Sequence, residues 1–315
     1  MNLNMRKIYK PGRSNVLANN AMVATSQPLS SQEAINILKI GGNAVDAAIA
    51  ASAVLSVVEP GSTGVGGDCF AIVKMNNKKA VSVNGSGISP KKANLNYFKK
   101  NKIDSIGLLS AHSVTIPGAV HAWYEMHKKY GKLEFEKLFT TAIYYAKEGF
   151  PIHEVEALYW KKNEEKLKKN KITKNAFLKN NKAPPFGTKF ANPKLANTLS
   201  VISKKGSKGF YEGEIAQDMI RSLNKLGGLH TEEDFYNQNT IFSDTLISDY
   251  KNYIIHQCPP NGPGLVVHLM MKLLDKFDWD NYNYFDPLRF HIQAEVTKIC
   301  FEIKETIIGD PNFIN

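Results

Sequence analysis

The sequence predicts an α+β fold with a full hydrophobic core. The chain has 315 residues, 43% of them hydrophobic, which is enough for one large domain or two small ones. Long helical patterns are mixed with short alternating strand patterns that end in tight turns. Helices and strands do not alternate regularly as βαβ units do, so a doubly wound parallel sheet is disfavoured.

The N-terminal third begins with a predicted strand and a capped helix. The stretch "AMVATS" (21–26) is typical of a short strand. Ser30 or Ser31 can cap the following helix, because their hydroxyl groups can accept a bond from the first free N–H groups. A glycine pair at 41–42 ends that helix, and Gly42 is expected in the left-handed closing conformation.

An alanine-rich helix and a hairpin follow. Residues 44–58 are apolar nearly all round, so this helix must be buried on most faces. The acid Asp46 lies in its first turn, where a carboxylate offsets the helix dipole, and a structural role is expected for it. The alternating side chains of 69–85, interrupted by an Asn76-Asn77 turn, predict a β-hairpin that ends in "NGSGISP" (84–90).

The remaining elements are mostly helical. Within 113–152 we expect a strand or turn and then two helices split at Tyr130-Gly131. A lysine-rich surface excursion around a helix follows at 161–190, and then helices over 191–235. One strand at 249–258, the turn "PPNGPG" at 259–264 and helices at 265–274 and 288–308 complete the chain.

The charge of the chain does not indicate a nucleic-acid binder. The formal net charge is +11, but only four of the 40 basic residues are arginine. The lysines are spread along the chain, whereas nucleic-acid binders concentrate charge and use arginine forks. A solvated lysine surface is the better interpretation.

Cysteine and histidine spacing predicts no metal or cofactor. Cys69, Cys258 and Cys300 are far apart and odd in number, and neither CxxC nor HExxH spacing occurs, so neither a disulfide framework nor a zinc site is expected. The first residues have no apolar signal-like core, and no apolar run approaches the roughly 20 residues of a membrane helix. We therefore expect a cytoplasmic protein without a membrane span.

The glycine-rich stretch "EPGSTGVGGDCF" (59–70) suggests a phosphate loop but does not fit one. Gly67 occupies the place of the P-loop lysine, and Cys69 that of the third dinucleotide glycine. Phosphate loops also follow a strand and precede a helix, whereas this stretch does the reverse. We interpret it as a tight helix-to-strand turn. A reactive thiol at Cys69 is the less favoured alternative to a core position.

Two glycine-bearing turns follow predicted strands, at 84–90 and 259–264. Such turns expose backbone N–H groups, which suits binding of a carboxylate or an oxyanion. Taken alone, each is better interpreted as a plain turn.

In combination these pieces resemble the gamma-glutamyltransferase (gamma-glutamyltranspeptidase) family. Residues 22–70 are similar over their whole length to the beginning of the family's sequences. The later matching segments come in the family's order: "SVTIPGAVHAW", "AKEGFPI", "NPKLANTLSVISKKGSKGFYEGEIA", "GGLHTEEDF", "PPNGPG" and "GDPNF".

The resemblance implies an N-terminal-nucleophile hydrolase with a four-layer αββα sandwich, of which this chain would be the helix-rich large-subunit half. It implies an N-terminal arm at 1–20 and a large-subunit region at 21–315. In the family, one precursor cuts itself, and the new N-terminal threonine of the small subunit attacks a γ-glutamyl amide without a metal or cofactor. We find no matching threonine in these residues, so the chain alone is expected to be inactive and to need the small-subunit half as partner.

The resemblance also places substrate binding at Asn84, Ser86 and Gly87. Family members carry an arginine in this turn that binds the substrate's α-carboxylate, and Ser86 and Ile88 occupy the matching places. Replacing a charged fork by one hydroxyl costs about 1.5–3 kcal/mol of carboxylate binding. Two alternatives to a glutathione hydrolase therefore stay open: an acylase of the same superfamily that acts on other amides, and a non-catalytic binding fragment.

Overall fold

The computed structural model describes residues 15–313, which divide into two compact units. The helical unit comprises Ala21–Cys69 and Gly85–Thr240. The sheet unit comprises, within the described residues, 15–20, Phe70–Asn84 and 241–313. Most of the predicted N-terminal arm at 1–20 lies outside the described residues, and the boundary between arm and large-subunit region stays a prediction.

The helical unit contains most of the helices. In chain order they are α1 (Pro28–Lys39), α2 (Ala44–Val58), α3 (Leu95–Lys100), α4 (Ala119–Tyr130), α5 (Thr140–Glu148), α6 (Glu154–Lys162), α7 (Glu164–Lys168), α8 (Lys171–Phe177), α9 (Pro193–Lys205), α10 (Lys208–Tyr211), α11 (Glu214–Lys225) and α12 (Glu232–Tyr236). Short 3₁₀ turns occur at Ala111–Ser113 and Phe135–Phe139, and the two-residue strands β3 (Phe150–Pro151) and β4 (Lys189–Phe190) pair with each other.

The sheet unit contains most of the strands. They are β1 (Cys69–Val73), β2 (Val81–Gly85), β5 (Ile241–Asp244), β6 (Leu246–Tyr250) and β7 (Tyr253–Gln257), followed by α13 (Gly264–Leu274), a 3₁₀ turn at Trp279–Asn281 and α14 (Pro287–Ile307). The strand order is β1-β2-β5 in one sheet and β6-β7 in another. β2 and β5 run antiparallel, with Val81 opposite Asp244 and Asn84 opposite Ile241. None of the described helices is long and apolar enough to cross a membrane.

The N-terminus of α2 is held by a buried acid, as predicted. The Asn43 side chain accepts hydrogen bonds from the N–H groups of Val45 and Asp46, and the Asp46 carboxylate accepts one from the Asn43 N–H. The same fully buried carboxylate accepts bonds from the N–H groups of Lys132 and Leu133. Asp46 therefore closes the helix end and ties it to the loop after α4.

Three predictions about the first turns are wrong. Residues 21–26 form no strand, because their hydroxyl groups bond locally and across to α2: Thr25 donates to the Gln27 carbonyl and Ser26 to the Glu59 carboxylate. Helix α1 begins at Pro28 and is capped by the Gln27 side chain rather than by a serine, since proline favours the first helical position. Gly41, with φ of 97°, takes the left-handed conformation predicted for its neighbour.

The strand predicted at 249–258 is a hairpin of two strands, β6 and β7. The chain reverses at Lys251, whose φ of 51° is left-handed. The turn consists of Lys251 and Asn252, whereas Asp249 and Tyr250 are the last residues of β6. Strand β5 was not predicted, because four residues are too few to show an alternating pattern.

Candidate functional site

The predicted substrate-binding residues lie in residues 84–87, which we call the NGSG turn and of which Asn84 and Gly85 are the last two residues of β2. Its glycines are required by close packing against the chain at 116–118. A Cβ atom on Gly87 would lie 1.6 Å from the Ile116 carbonyl oxygen, and one on Gly118 would lie 1.9 Å from the Gly85 carbonyl oxygen. The Ile116 N–H also donates to the Ile88 carbonyl over 2.9 Å. The backbone is therefore fixed at Gly87 and Gly118, and any side chain larger than glycine is excluded at these two positions.

Two side chains of the helical unit bind the backbone of this turn. The Gly87 N–H donates to the Oδ1 atom of Asp68 over 3.1 Å. The Gln238 side-chain amide donates to the Ser86 carbonyl over 3.3 Å and to the Asn239 carbonyl over 3.1 Å. Gln238 is buried, and its Oε1 atom has no hydrogen-bond partner among residues 15–313. Ser86 is half-buried.

Asn84 belongs to the sheet unit, where its side chain is directed to the second glycine-bearing turn. Its Nδ2 group donates to the Oδ1 atom of Asn261 over 2.8 Å. Asn261 is part of "PPNGPG", so within the sheet unit the end of β2 is joined to that turn by a hydrogen bond between two side-chain amides. A Cβ atom on Gly262 would lie 3.3 Å from the ring of Phe70.

Hydrogen bonds of Tyr211 and His121 hold the segment 117–121 in place within the helical unit. The buried Tyr211 hydroxyl donates to the Pro117 carbonyl over 2.7 Å and accepts from the His121 N–H over 3.1 Å. Burial raises the pKa of Tyr211, so the phenol stays protonated. Burial also lowers the pKa of His121, whose Nδ1 atom lies 2.7 Å from the Thr240 hydroxyl. The Tyr211 phenol and the His121 imidazole are therefore both uncharged near pH 7, and we assign them a structural role.

The glycine-rich stretch borders a cavity that does not suit phosphate. The cavity has a volume of about 150 Å³ and is lined by Pro60, Gly61, Glu156, Tyr159, Trp160, Asn163, Lys166, Leu167 and Phe177. Its most buried polar group is the Glu156 carboxyl, whose pKa is raised by burial and by the nearby Glu59 carboxylate. A phosphate in this cavity would be repelled by the two carboxylates, and this repulsion exceeds the attraction of the single exposed lysine of the wall, Lys166. The order helix, glycine-rich stretch, strand is the one predicted.

The structure adds to Ser86 and Gly87 one residue that the sequence did not single out. Asp68 lies within the quoted glycine-rich stretch, directly before β1. In a hairpin the start of the first strand lies beside the end of the second, so an acid before β1 reaches the residues after β2. That hairpin register is the signal that could have identified it. Among residues 15–313, no three histidine, cysteine, aspartate or glutamate side chains converge on a point that could hold a metal ion.

Comparison with known proteins gives one family. The sequence model of the family described as gamma-glutamyltranspeptidase matches residues 30–315. The chain is 35% identical over 300 residues to the glutathione hydrolase-like YwrD proenzyme of Bacillus subtilis (strain 168), which covers 95% of this chain and 57% of the relative. It spans about half the length of the curated relatives that it matches.

Solved structures show the same fold. The gamma-glutamyltranspeptidase of Helicobacter pylori superposes with a TM-score of 0.88 at 28% identity, covering 96% of this chain and 88% of that one. The cephalosporin acylase of Bacillus halodurans superposes with a TM-score of 0.86 at 32% identity, covering 98% of this chain and 60% of that one. The predicted α+β class and the N-terminal-nucleophile hydrolase architecture are confirmed.

Proposed function

Because this chain belongs to the gamma-glutamyltranspeptidase family, we propose that it forms the large-subunit portion of an amide hydrolase or transferase that cleaves γ-glutamyl amides such as glutathione. The observation that carries this proposal is the family match over 30–315. The fold is that of the matched solved enzymes, and the NGSG turn keeps a fixed backbone at the place where the resemblance puts the substrate.

The proposed reaction uses a threonine of the small-subunit portion. Its hydroxyl oxygen attacks the γ-carbonyl carbon while its own α-amine takes the proton. The tetrahedral intermediate collapses, the amide C–N bond breaks, and the leaving amine takes the proton back. The resulting acyl-threonine ester is then attacked by water, which gives hydrolysis, or by an acceptor amine, which gives transfer. The role of the present chain is to bind and orient the glutamyl end.

The surface of the sheet unit fits a protein partner. Large apolar side chains are exposed on its strands and helices, whereas its own core is a small cluster around Val266, Ile292, Val296 and Cys300. The exposed members include Ile247, Tyr253, Ile254, Phe285 and Phe290. Apolar surface of this kind marks an interaction face, and the small-subunit portion is the partner that we propose for it.

The test is release of p-nitroaniline from γ-glutamyl-p-nitroanilide. We expect release when this chain is produced together with its small-subunit portion, and none from residues 1–315 alone. The matched control replaces the nucleophilic threonine of the small-subunit portion by alanine, which should abolish release. Release by residues 1–315 alone would contradict our placement of the nucleophile.

A second candidate is an acylase that acts on amides other than γ-glutamyl ones. It is favoured by Ser86 and Ile88, which occupy the positions where the family resemblance implies an arginine, and by the similarity to a cephalosporin acylase. Parallel assay of γ-glutamyl and glutaryl anilides separates the two, because glutaryl lacks only the α-ammonium group. Ser86→Arg should raise the preference for γ-glutamyl substrates if the turn binds the α-carboxylate.

A further inference from the structure

The Asp68 carboxylate is exposed beside the NGSG turn and has no counter-ion there. Its Oδ1 atom accepts the Gly87 N–H over 3.1 Å, and no other hydrogen bond to it is found within residues 15–313. In the same part of the chain, no lysine, arginine or histidine nitrogen lies within 4.0 Å of it. One carboxylate oxygen is thus free to bind a ligand, and the negative charge is uncompensated.

The position of this carboxylate is fixed by the backbone around it. The preceding residue, Gly67, accepts hydrogen bonds through its carbonyl from the N–H groups of Gly118 and Ala119 over 3.0 and 2.9 Å, and its own N–H donates to Gly64 over 3.1 Å. The bond partner Gly87 is equally fixed by its contact with Ile116. A preorganised charge discriminates between ligands better than a mobile one, because no ordering has to accompany binding.

The same contact alters what the turn can bind. The Gly87 N–H, which the sequence suggested as a donor to a substrate carboxylate, is already occupied by Asp68. A ligand carboxylate placed here would face a like charge at close range, whereas a ligand ammonium would gain an ion pair. The turn therefore presents an acceptor of positive charge.

We propose that Asp68 is a specificity-determining residue that binds the α-ammonium group of the γ-glutamyl moiety. This inference rests on the proposed function, since it uses the placing of the glutamyl end at the NGSG turn. It assigns recognition to the ammonium group rather than to the α-carboxylate, for which this turn carries no arginine. It also disfavours glutaryl amides, which have the carboxylate but lack the ammonium.

The test compares three anilides with the chain and its small-subunit portion together. γ-Glutamyl-p-nitroanilide carries both charged groups, 4-aminobutyryl-p-nitroanilide only the ammonium, and glutaryl-p-nitroanilide only the carboxylate. We expect the two ammonium substrates to exceed the glutaryl one in kcat/KM by about tenfold or more. Asp68→Asn should lower the γ-glutamyl to glutaryl ratio by about tenfold, mainly through KM, while Asp68→Glu retains part of it.

Asp104→Asn is the matched control, because Asp104 is an exposed acid outside the site and its loss should leave the ratio unchanged. If Asp68→Asn slows all three substrates equally, Asp68 is structural and the inference is wrong. A wild-type preference for the glutaryl substrate would overturn it as well.

A binding measurement distinguishes failure of this inference from failure of the proposed function. If no anilide is cleaved, the proposed function is wrong, and calorimetry with L-glutamate, 4-aminobutyrate and glutarate still tests Asp68. The expected result is binding of the two amino acids, lost in Asp68→Asn, with weaker binding of glutarate. Equal binding of glutarate, or no binding of any of the three, overturns the inference.

Discussion

Two acids that bind backbone N–H groups have opposite roles, at the start of α2 and at the NGSG turn. Asp46 is fully buried, and its oxygens accept N–H bonds from both its own helix cap and the loop after α4. Asp68 is exposed and accepts one N–H bond, from Gly87. The first carboxylate has its hydrogen-bonding capacity filled by the fold, and the second has capacity left over.

The difference shows how to separate structural from functional acids in this chain. A carboxylate whose acceptors are filled stabilises the fold and can bind nothing more. A carboxylate that is held by a single hydrogen bond and has no counter-ion can contact a ligand. Its removal lowers the free energy of unfolding only slightly. Neither sequence position alone nor the neighbouring glycines distinguish the two cases.

The largest effect should come from Gly87→Ala, which tests whether the exposed acid has a rigid partner. The new Cβ atom would lie 1.6 Å from the Ile116 carbonyl oxygen, so the turn must move, and we expect a loss of more than about 3 kcal/mol in the free energy of unfolding. Urea unfolding measures it. Gly66→Ala is the matched control, since its Cβ atom would meet nothing within 4 Å; equal stability of the two variants would show that the turn is not rigid.

Comparing the free energies of unfolding of the Asp46→Asn and Asp68→Asn variants tests the distinction between the two acids directly. The amide of asparagine would turn a donor toward N–H groups that now bond a carboxylate, so we expect Asp46→Asn to lower the free energy of unfolding by about 3 kcal/mol. Asp68→Asn should change it by less than about 1 kcal/mol. Denaturant unfolding of the two variants side by side decides this, and similar losses would remove the distinction between the two acids.

The smallest expected change in stability concerns Glu156. This carboxyl is buried like that of Asp46, but it accepts fewer hydrogen bonds and lies near another acid, Glu59. Burial and Glu59 raise its pKa above the usual 4.5, against the bond from the Gly61 N–H. The folded state therefore binds more protons than the unfolded state above pH 4.5, and stability falls as pH rises through that window. Glu156→Gln should flatten this slope and leave the protein slightly more stable at pH 7, by less than about 1 kcal/mol. Thermal unfolding between pH 4 and 8 tests it, and an unchanged slope would show that Glu156 does not titrate there.

The long periodic elements could be predicted from the sequence, and the short ones could not. Helices α2, α13 and α14 were predicted to within one residue at each end, because ten or more residues of apolar pattern fix them. Strand β5, with four residues, carries no such pattern. In the site, the glycines of 84–90 predicted a turn, whereas Asn84 and Gly85 end β2 and residues 86–90 form no regular turn.

The hairpin places Asp68 near the residues after β2, but the bond itself could not be predicted, because the sequence does not specify which acceptor the Gly87 N–H group bonds. Similarly, Gln27 rather than a serine caps α1, since cap geometry is decided by the tertiary path of the chain. The substrate-binding roles of Asn84, Ser86 and Gly87 stay predictions.

The pairing of β2 with β5 has a consequence for synthesis on the ribosome. About 155 residues separate the two strands, so at roughly 5–20 residues per second the β1–β2 hairpin emerges on the order of ten seconds before its partner strand. During that interval the edge of β2 that later pairs with β5 is unpaired, and an open strand edge is a template for association with other chains. Newly made chains on neighbouring ribosomes can therefore associate through this strand edge until β5 is made.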